Sequence, residues 1–457
     1  MNKLSKLLIL ALAILAMVSC QPGAKKEVAS GPVGQANFPE WSKNAVMYEV
    51  NVRQYTPEGT FNAFKEHLPR LKEMGVDILW FMPIQPISVK NRKGTLGSYY
   101  SVRDYKAVNP EFGTMDDFKA LVKSAHEMGF KVMIDWVGNH TGWDNVWMKD
   151  HKDWYTQDSL GNVVSPVADW HDTADLNYNN QQMRQAMLDA LKFWVKEADI
   201  DGYRCDFAGG VPTEFWEKAR LSLDSIKQVF MLGENQDQMD LLNKAFNINY
   251  GWAFHHLMND VAQGKKTAQS MDSLLVREDS VYPEKTYALQ FTSNHDENSW
   301  NGTEYERLGD AVKTMAALTF TVPGMPLIYS GQEAGLNRRL AFFEKDSINW
   351  SNLEMQQFYQ KLIQLKKSQK ALWNGEAGGQ LTIVTTNLPQ KVLAFTREKE
   401  DNQILAVFNL SAEPVEVSLD LNKKGNYLDY FSGDNVKLKK ITSISLDKWA
   451  YKIFIRQ

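Results

Sequence analysis

Gly202-Tyr203-Arg204-Cys205-Asp206 puts a cation and a carboxylate two positions apart inside an apolar stretch. Side chains alternate faces along a strand, so in an extended segment Arg204 and Asp206 point one way and Tyr203 and Cys205 the other. A guanidinium beside a carboxylate favours the ionised form. An ionised carboxylate kept from bulk water can act as a nucleophile. Two further apolar runs reach acids, in Leu232-Gly233-Glu234 and in Phe291-Thr292-Ser293-Asn294-His295-Asp296. One such acid alone reads as a helix cap or a surface charge. Three acids at three strand ends describe a site for nucleophilic and acid–base chemistry.

Alternating strands and helices must position these acids. Residues 45–52 alternate and form a first strand, and 60–74 place Phe61, Phe64, Leu68, Leu71 and Met74 on one helical face stopped by Gly75. Residues 76–82 are almost continuously apolar, as a parallel strand covered on both sides must be. Thr114 and Asp117 form a capping-box pattern before a helix ended by Gly129, and 131–137 form the third strand. Helix 181–198, strand 202–206, helix 213–227 and strand 229–233 follow. Strand six is placed at 246–248, strand seven at 288–292, a helix at 310–320, strand eight at 327–330 and a closing helix at 358–367. Eight strand–helix alternations predict a closed parallel (β/α)8 TIM barrel, whose carboxyl-end face is where catalytic residues gather.

Two segments depart from this rhythm. Periodicity disappears over 141–180, where Trp143, Trp147, Trp154 and Trp170 lie among Asp, His and Gly. A stretch that long predicts a small inserted subdomain over the site. From about 380 the runs 391–395, 404–410 and 415–421 carry short apolar or alternating patterns without a helical stripe. They predict a separate C-terminal antiparallel β-sandwich domain without a catalytic constellation of its own. The barrel is thereby assigned to 39–374 and the β domain to 375–457.

The order Asp135-Trp136-Val137-Gly138-Asn139-His140, then Gly202-Tyr203-Arg204-Cys205-Asp206, then Gly233-Glu234, then Asn294-His295-Asp296 resembles the α-amylase family of glycoside hydrolases, family 13. The similarity covers most of the chain after Ala45 and implies the same barrel. It implies that Asp206 is the nucleophile, Glu234 the general acid and base, and Asp296 the third acid that binds sugar hydroxyls and helps distort the ring. Retaining hydrolysis needs one ionised and one protonated carboxyl group, so Arg204 is expected to keep Asp206 ionised and partial desolvation to raise Glu234. The resemblance further implies that His140 and His295 bind sugar hydroxyls at the cleavage subsite, that Asp135 orients Arg204, and that Tyr100, or Tyr99 one position earlier, is the aromatic platform under the cleaved sugar. Calcium is a cofactor of many relatives, and Asn139 and Asp175 match two of its ligand positions. The Lys-His pair that often follows the nucleophile strand in calcium-dependent α-amylases is replaced here by Gly209-Gly210, and Phe207 and Asn235-Gln236 also depart from common family residues.

The expected activity is that of an α-amylase-like enzyme cleaving α-1,4-glucosidic bonds of starch-derived glucans or maltooligosaccharides. An α-glucosidase, a pullulan-cleaving enzyme or a glucanotransferase would use the same triad. A glycan-binding surface lipoprotein on a retired hydrolase scaffold is the reading from another class, and it gives no reason to keep all three acids with Arg204.

A formal net charge of -4 over 457 residues gives no reason to expect nucleic acid as a partner. Lys3 and Lys6 precede an apolar run from Leu7 to Val18, too short to span a bilayer, and Met17-Val18-Ser19-Cys20 looks like a bacterial lipobox. Residues 1–19 are therefore expected to be a signal peptide, Cys20 a lipidated first residue, and 20–38, rich in Gly, Ala, Ser and Pro, a flexible tether. This predicts an exported protein, lipid-anchored to a bacterial membrane on the periplasmic side or at the cell surface. Cys205 is then left without a disulfide partner and reads as a small apolar residue behind its strand.

Overall fold

The computed structural model describes residues 36–457. The signal peptide, Cys20 and the tether as far as residue 35 lie outside them. Among the described residues, β1 (Met47–Val50), β2 (Ile78–Phe81), β3 (Lys131–Val137), β6 (Gly202–Asp206), β7 (Phe230–Gly233), β8 (Ile248–Tyr250), β9 (Tyr287–Gln290) and β10 (Met325–Tyr329) close into a parallel barrel. β10 pairs with β1, completing the ring. The segment between β3 and the helix Gln181–Glu197, where the inserted subdomain is expected, contains the antiparallel pair β4 (His140–Gly142) and β5 (Thr173–Asp175).

Side chains alternate along each strand, so the barrel has two apolar layers. Met47, Ile78, Met133, Phe230, Leu232, Ile248 and Leu289 are among the residues that fill the interior, while the other face of each strand packs against the helices. Arg204, in register with Asp135 on β3 and Leu232 on β7, is fully buried. Its guanidinium carbon lies 5.3 Å from the Trp80 ring centroid, 5.6 Å from Tyr250 and 5.7 Å from Tyr100. Aromatic faces therefore compensate part of the cost of burying this cation.

Several boundaries differ from expectation, and three of them have a visible cause. The helix expected over 60–74 is two helices, Phe61–Lys65 and Leu68–Met74, because Pro69 in the first turn of the second has no N–H for the preceding turn. The intended stripe is kept, with Phe61, Phe64, Leu68, Leu71 and Met74 all buried. Strand six falls at Ile248–Tyr250 rather than 246–248. The Oδ1 of Asn247 accepts from the Met231 N–H at 2.8 Å, so a side chain takes the place of the ladder there. Strand seven ends at Gln290 because its register partner on β10 is Pro326, which has no N–H to donate. Asp296 thus sits in a loop beyond the strand and heads the turn Glu297–Asn301.

Ala36, Asn37 and Phe38, placed by composition in the tether, are packed on the barrel. The Phe38 ring lies 5.5 Å from Tyr287 and 6.4 Å from Phe230, and the Asn37 carbonyl accepts from Arg220 at 2.6 Å and from Asn247 at 3.1 Å.

The C-terminal domain has the expected antiparallel texture. β11 (Gln380–Ile383), β12 (Val392–Lys399), β13 (Asn402–Asn409), β14 (Val415–Asp420), β15 (Gly425–Asp429), β16 (Asn435–Leu438), β17 (Ile441–Leu446) and β18 (Tyr451–Arg456) form two sheets. One runs β11-β12-β13-β18-β15-β16 and the other pairs β14 with β17. Val392, Leu405, Val407, Val417, Leu419, Ile444 and Leu446 pack between them as one apolar core.

Candidate active site

The fourth barrel strand, β6, delivers the central pair. Gly202 starts it in close contact with β7: a Cβ there would fall 2.0 Å from the Phe230 carbonyl oxygen, so only glycine lets the two strands meet. Arg204 and Asp206 then point to the same side, as their spacing requires, and Arg204 Nη1 donates to Asp206 Oδ1 at 3.0 Å and to Asp135 Oδ1 at 2.9 Å. Arg204 Nη2 lies 2.8 Å from Glu234 Oε1, and Nε donates to the Tyr250 hydroxyl at 3.1 Å. One buried guanidinium therefore faces three carboxyl groups.

The electrostatics follow from that imbalance. Burial first, then the neighbouring Glu234 carboxylate, raise Asp206 well above the usual carboxylate range against the pull of Arg204. Burial likewise pushes Asp135 up to about 6. The expectation that Arg204 by itself keeps Asp206 ionised is corrected: the cation is divided among three acids and cannot hold all of them charged. Glu234, expected to be the desolvated acid, meets two groups, Arg204 and the Phe207 N–H, which donates to Oε2 at 2.8 Å.

The third acid is held from the other side. Burial would lower His295, but the Asp296 and Glu49 carboxylates outweigh it and raise the imidazole well above its usual value. Its Nδ1 lies 2.6 Å from Glu49 Oε1, and its Nε2 lies 2.7 Å from the Tyr100 hydroxyl and 3.3 Å from Asp296 Oδ2. Asp296 is itself held below the usual carboxylate range: burial works against this, and His295 and Arg204 prevail. Its side chain stays 38% exposed and faces the cavity. His140 is the opposite case, lowered to about 4 by burial, and so is a neutral hydrogen-bonding group.

A cavity of about 320 Å³ opens over these groups. Asp206, Glu234, Asp296, Tyr100, His140 and His295 all line it, so the chain brings every sequence-predicted catalytic and sugar-binding side chain to one place except Arg204, which acts from beneath. The choice between adjacent tyrosines is decided by direction. Tyr100 faces the cavity, while Tyr99 turns away and donates to Asn51 Oδ1 at 3.0 Å.

Comparison with known proteins places the chain as a whole. Residues 35–408 match the family described as alpha amylase, catalytic domain. The chain belongs to the α-amylase family of glycoside hydrolases. Residues 381–453 match the C-terminal domain of maltogenic amylase. Among solved structures, the noncanonic maltogenic α-amylase AmyB from Thermotoga neapolitana is 31% identical, with a TM-score of 0.84 over 91% of this chain and 99% of that one. An α-amylase from Lactobacillus plantarum is 29% identical, with a TM-score of 0.82 over 91% and 100%. The α-amylase MalA of Haloarcula japonica is 27% identical over 415 residues, 87% of this chain, which spans only 59% of that relative's length.

Several groups that build the family site here escaped the sequence reading. Glu49, fully buried on β1, was signalled only as an acid inside an apolar strand, Tyr48-Glu49-Val50, and its partner His295 is remote in sequence. Trp300, Phe342 and Phe343 line the cavity from loops after the seventh and eighth barrel strands. Adjacent Phe342 and Phe343, followed by Glu344 and Lys345 in a stretch without periodicity, were the available signal. Lys93 and Asp172, paired at 3.0 Å, add a polar wall that no local motif announces.

The residues expected to hold calcium do not make a cage. Asn139 and Asp175 do meet in the β4–β5 hairpin, where the Asn139 carbonyl accepts from the Leu176 N–H at 3.1 Å and His140 pairs with Asp175. Among the described residues no three His, Cys, Asp or Glu side chains converge. Two side-chain donors are a small part of the six to eight oxygens calcium takes. The donor set does not fit a calcium site built from side chains, and the chemistry below uses none.

Proposed function

We propose that this protein is a retaining hydrolase of α-1,4-linked glucans and maltooligosaccharides working by double displacement. The observation that carries this reading is the gathering of Asp206 and Glu234 on neighbouring nitrogens of Arg204, in one cavity with Asp296. In the first step Asp206 attacks the anomeric carbon and the C–O bond breaks, while Glu234 gives its proton to the departing glucosyl oxygen. In the second, Glu234 takes a proton from water, whose oxygen displaces Asp206 and regenerates the free carboxylate. Asp296 and the charged His295 bind hydroxyls of the distorted ring, and neutral His140 can donate or accept there. The proton that Glu234 gives up in the first step is the one it regains from water in the second.

A time course of products from maltoheptaose, soluble starch, pullulan and isomaltooligosaccharides tests this. A spread of short maltooligosaccharides is expected. Glucose alone would assign an α-glucosidase, cleavage of pullulan a pullulan-cleaving enzyme, and longer products a transferase. Binding without cleavage would overturn the hydrolase and leave a glycan-binding lipoprotein.

The lipobox supports export and attachment to a bacterial membrane through Cys20. Cys20→Ser is expected to move the protein from the membrane to the soluble fraction after cell disruption. Membrane retention of the variant would remove the lipid anchor from the proposal.

A further inference from the structure

Phe207, directly after Asp206, has φ 42° and ψ 48°, the left-handed region that a bulky aromatic residue rarely adopts. Such a conformation persists only where its surroundings over-determine it, and it is concentrated at functional sites. The surroundings here are the catalytic machinery. The Phe207 N–H donates to Glu234 Oε2 at 2.8 Å, the Ala208 N–H donates to the Glu234 carbonyl at 3.2 Å, and the Phe207 carbonyl accepts from the Gly210 N–H at 2.9 Å. A Cβ on Gly210 would stand 2.5 Å from two atoms of the Phe207 ring, so the ring lies directly against that glycine.

The ring is nevertheless 40% exposed and lines the cavity. A strained aromatic residue whose ring is open to the cavity is placed to meet what enters it. Among the described residues its only ring contact is Trp170 of the inserted subdomain, with centroids 5.5 Å apart and planes at 80°. It has no ring contact with the cluster in which Tyr100 stacks on His295 and on Phe342, and Phe342 meets Trp300, while Trp170 in turn meets the His140 ring at 5.4 Å. The cavity thus has two aromatic walls, and Glu234 is hydrogen-bonded to the one built on Phe207. A carboxyl group that protonates the leaving oxygen stands on the leaving-group side of the scissile bond. The wall attached to it faces the same way.

We propose that Phe207 and Trp170 form the platform on which the first glucosyl unit of the leaving group packs. Sugar rings present an apolar face of C–H groups that suits an aromatic surface. Phe207 is then a specificity-determining residue that favours glucosyl leaving groups and, in the reverse sense, glucosyl acceptors over water. Its main chain holds the acid that protonates the sugar its side chain holds. This inference rests on the hydrolase reading above.

The test compares two substrates of one active site. Maltotriose has a glucosyl leaving group, whereas α-maltosyl fluoride has a leaving group without a ring. For Phe207→Ala and Trp170→Ala, the ratio of kcat/KM on maltotriose to that on the fluoride is expected to fall about tenfold, the range of one aromatic contact. Phe207→Tyr, which keeps the ring, is expected to restore it. A ratio unchanged in both alanine variants overturns the platform while leaving the hydrolase intact. Wild-type protein that cleaves neither compound overturns the hydrolase reading and the platform with it. The Trp170 variant keeps the proposal open to refutation if loss of the Phe207 ring unfolds the strained turn.

Discussion

Asp206→Asn is expected to abolish turnover of every glycosyl substrate, by about 10⁴-fold or more in kcat, as loss of a covalent nucleophile does elsewhere. The amide cannot form the glycosyl–enzyme bond, and the neighbouring carboxyl groups are held elsewhere: Asp135 is fully buried, and Glu234 Oε2 accepts from the Phe207 N–H. The fold is expected to survive. Asn keeps an oxygen that can accept from Arg204 Nη1, where the carboxylate now accepts at 3.0 Å. The sign of the stability change follows from the raised Asp206 carboxyl. A group whose folded value lies above its unfolded value of about 4 stabilises the fold fully only below that unfolded value. That contribution is lost as pH rises through the folded value, because a buried charge must then be carried. The variant does not carry it, so its Tm is expected to equal or exceed wild type at pH 7 to 8, with the gain vanishing near pH 3. Calorimetry across that range checks the stability, and activity assays check the loss. Residual turnover near wild type would remove Asp206 as nucleophile.

Glu234→Gln is expected to lower kcat on maltooligosaccharides by about 10² to 10⁴, the usual contribution of a positioned proton donor. On α-maltosyl fluoride the loss should be far smaller, since fluoride departs without needing a proton. This difference separates the two carboxyl groups, because Asp206→Asn is expected to fail on both substrates. The alkaline limb of the pH–rate profile on glucans reports the essential proton donor, which an amide cannot be, so the limb is expected to flatten. A structural cost of about 1 kcal/mol accompanies it. The amide can present its oxygen to Arg204 or to the Phe207 N–H, but its NH2 group then faces the other donor, so one of the two contacts at 2.8 Å is lost. Equal losses on glucan and fluoride would contradict Glu234 as the acid.

Much of this was legible along the chain because the information is local. The period of 3.6 in Phe118, Leu121, Val122 and Ala125 and the Thr114–Asp117 capping box describe one helix without reference to any other, and the helix Met115–Glu127 has that box and that buried face. Alternation along 202–206 is enough to aim Arg204 and Asp206 the same way, since pleating is a property of a single strand. Boundaries set by a neighbour were not legible. Pro326 ends the seventh barrel strand from the adjacent strand, and the Asn247 side chain displaces the start of the sixth by capturing an N–H of the fifth.

The acids and their order along the chain, the barrel that carries them and the inserted and C-terminal segments were determined by the sequence itself, through residue type and periodicity. How charge is shared among the acids was decided only by the tertiary structure. Arg204 looked like the private partner of Asp206 because the two are neighbours in sequence, yet closure of the barrel brings Asp135 and Glu234 to the same guanidinium. Glu49 reaches His295 across a chain separation of 246 residues, and Trp170 reaches Phe207 from the inserted subdomain. Electrostatic energy depends on distance in space and on burial, and neither is a property of chain order.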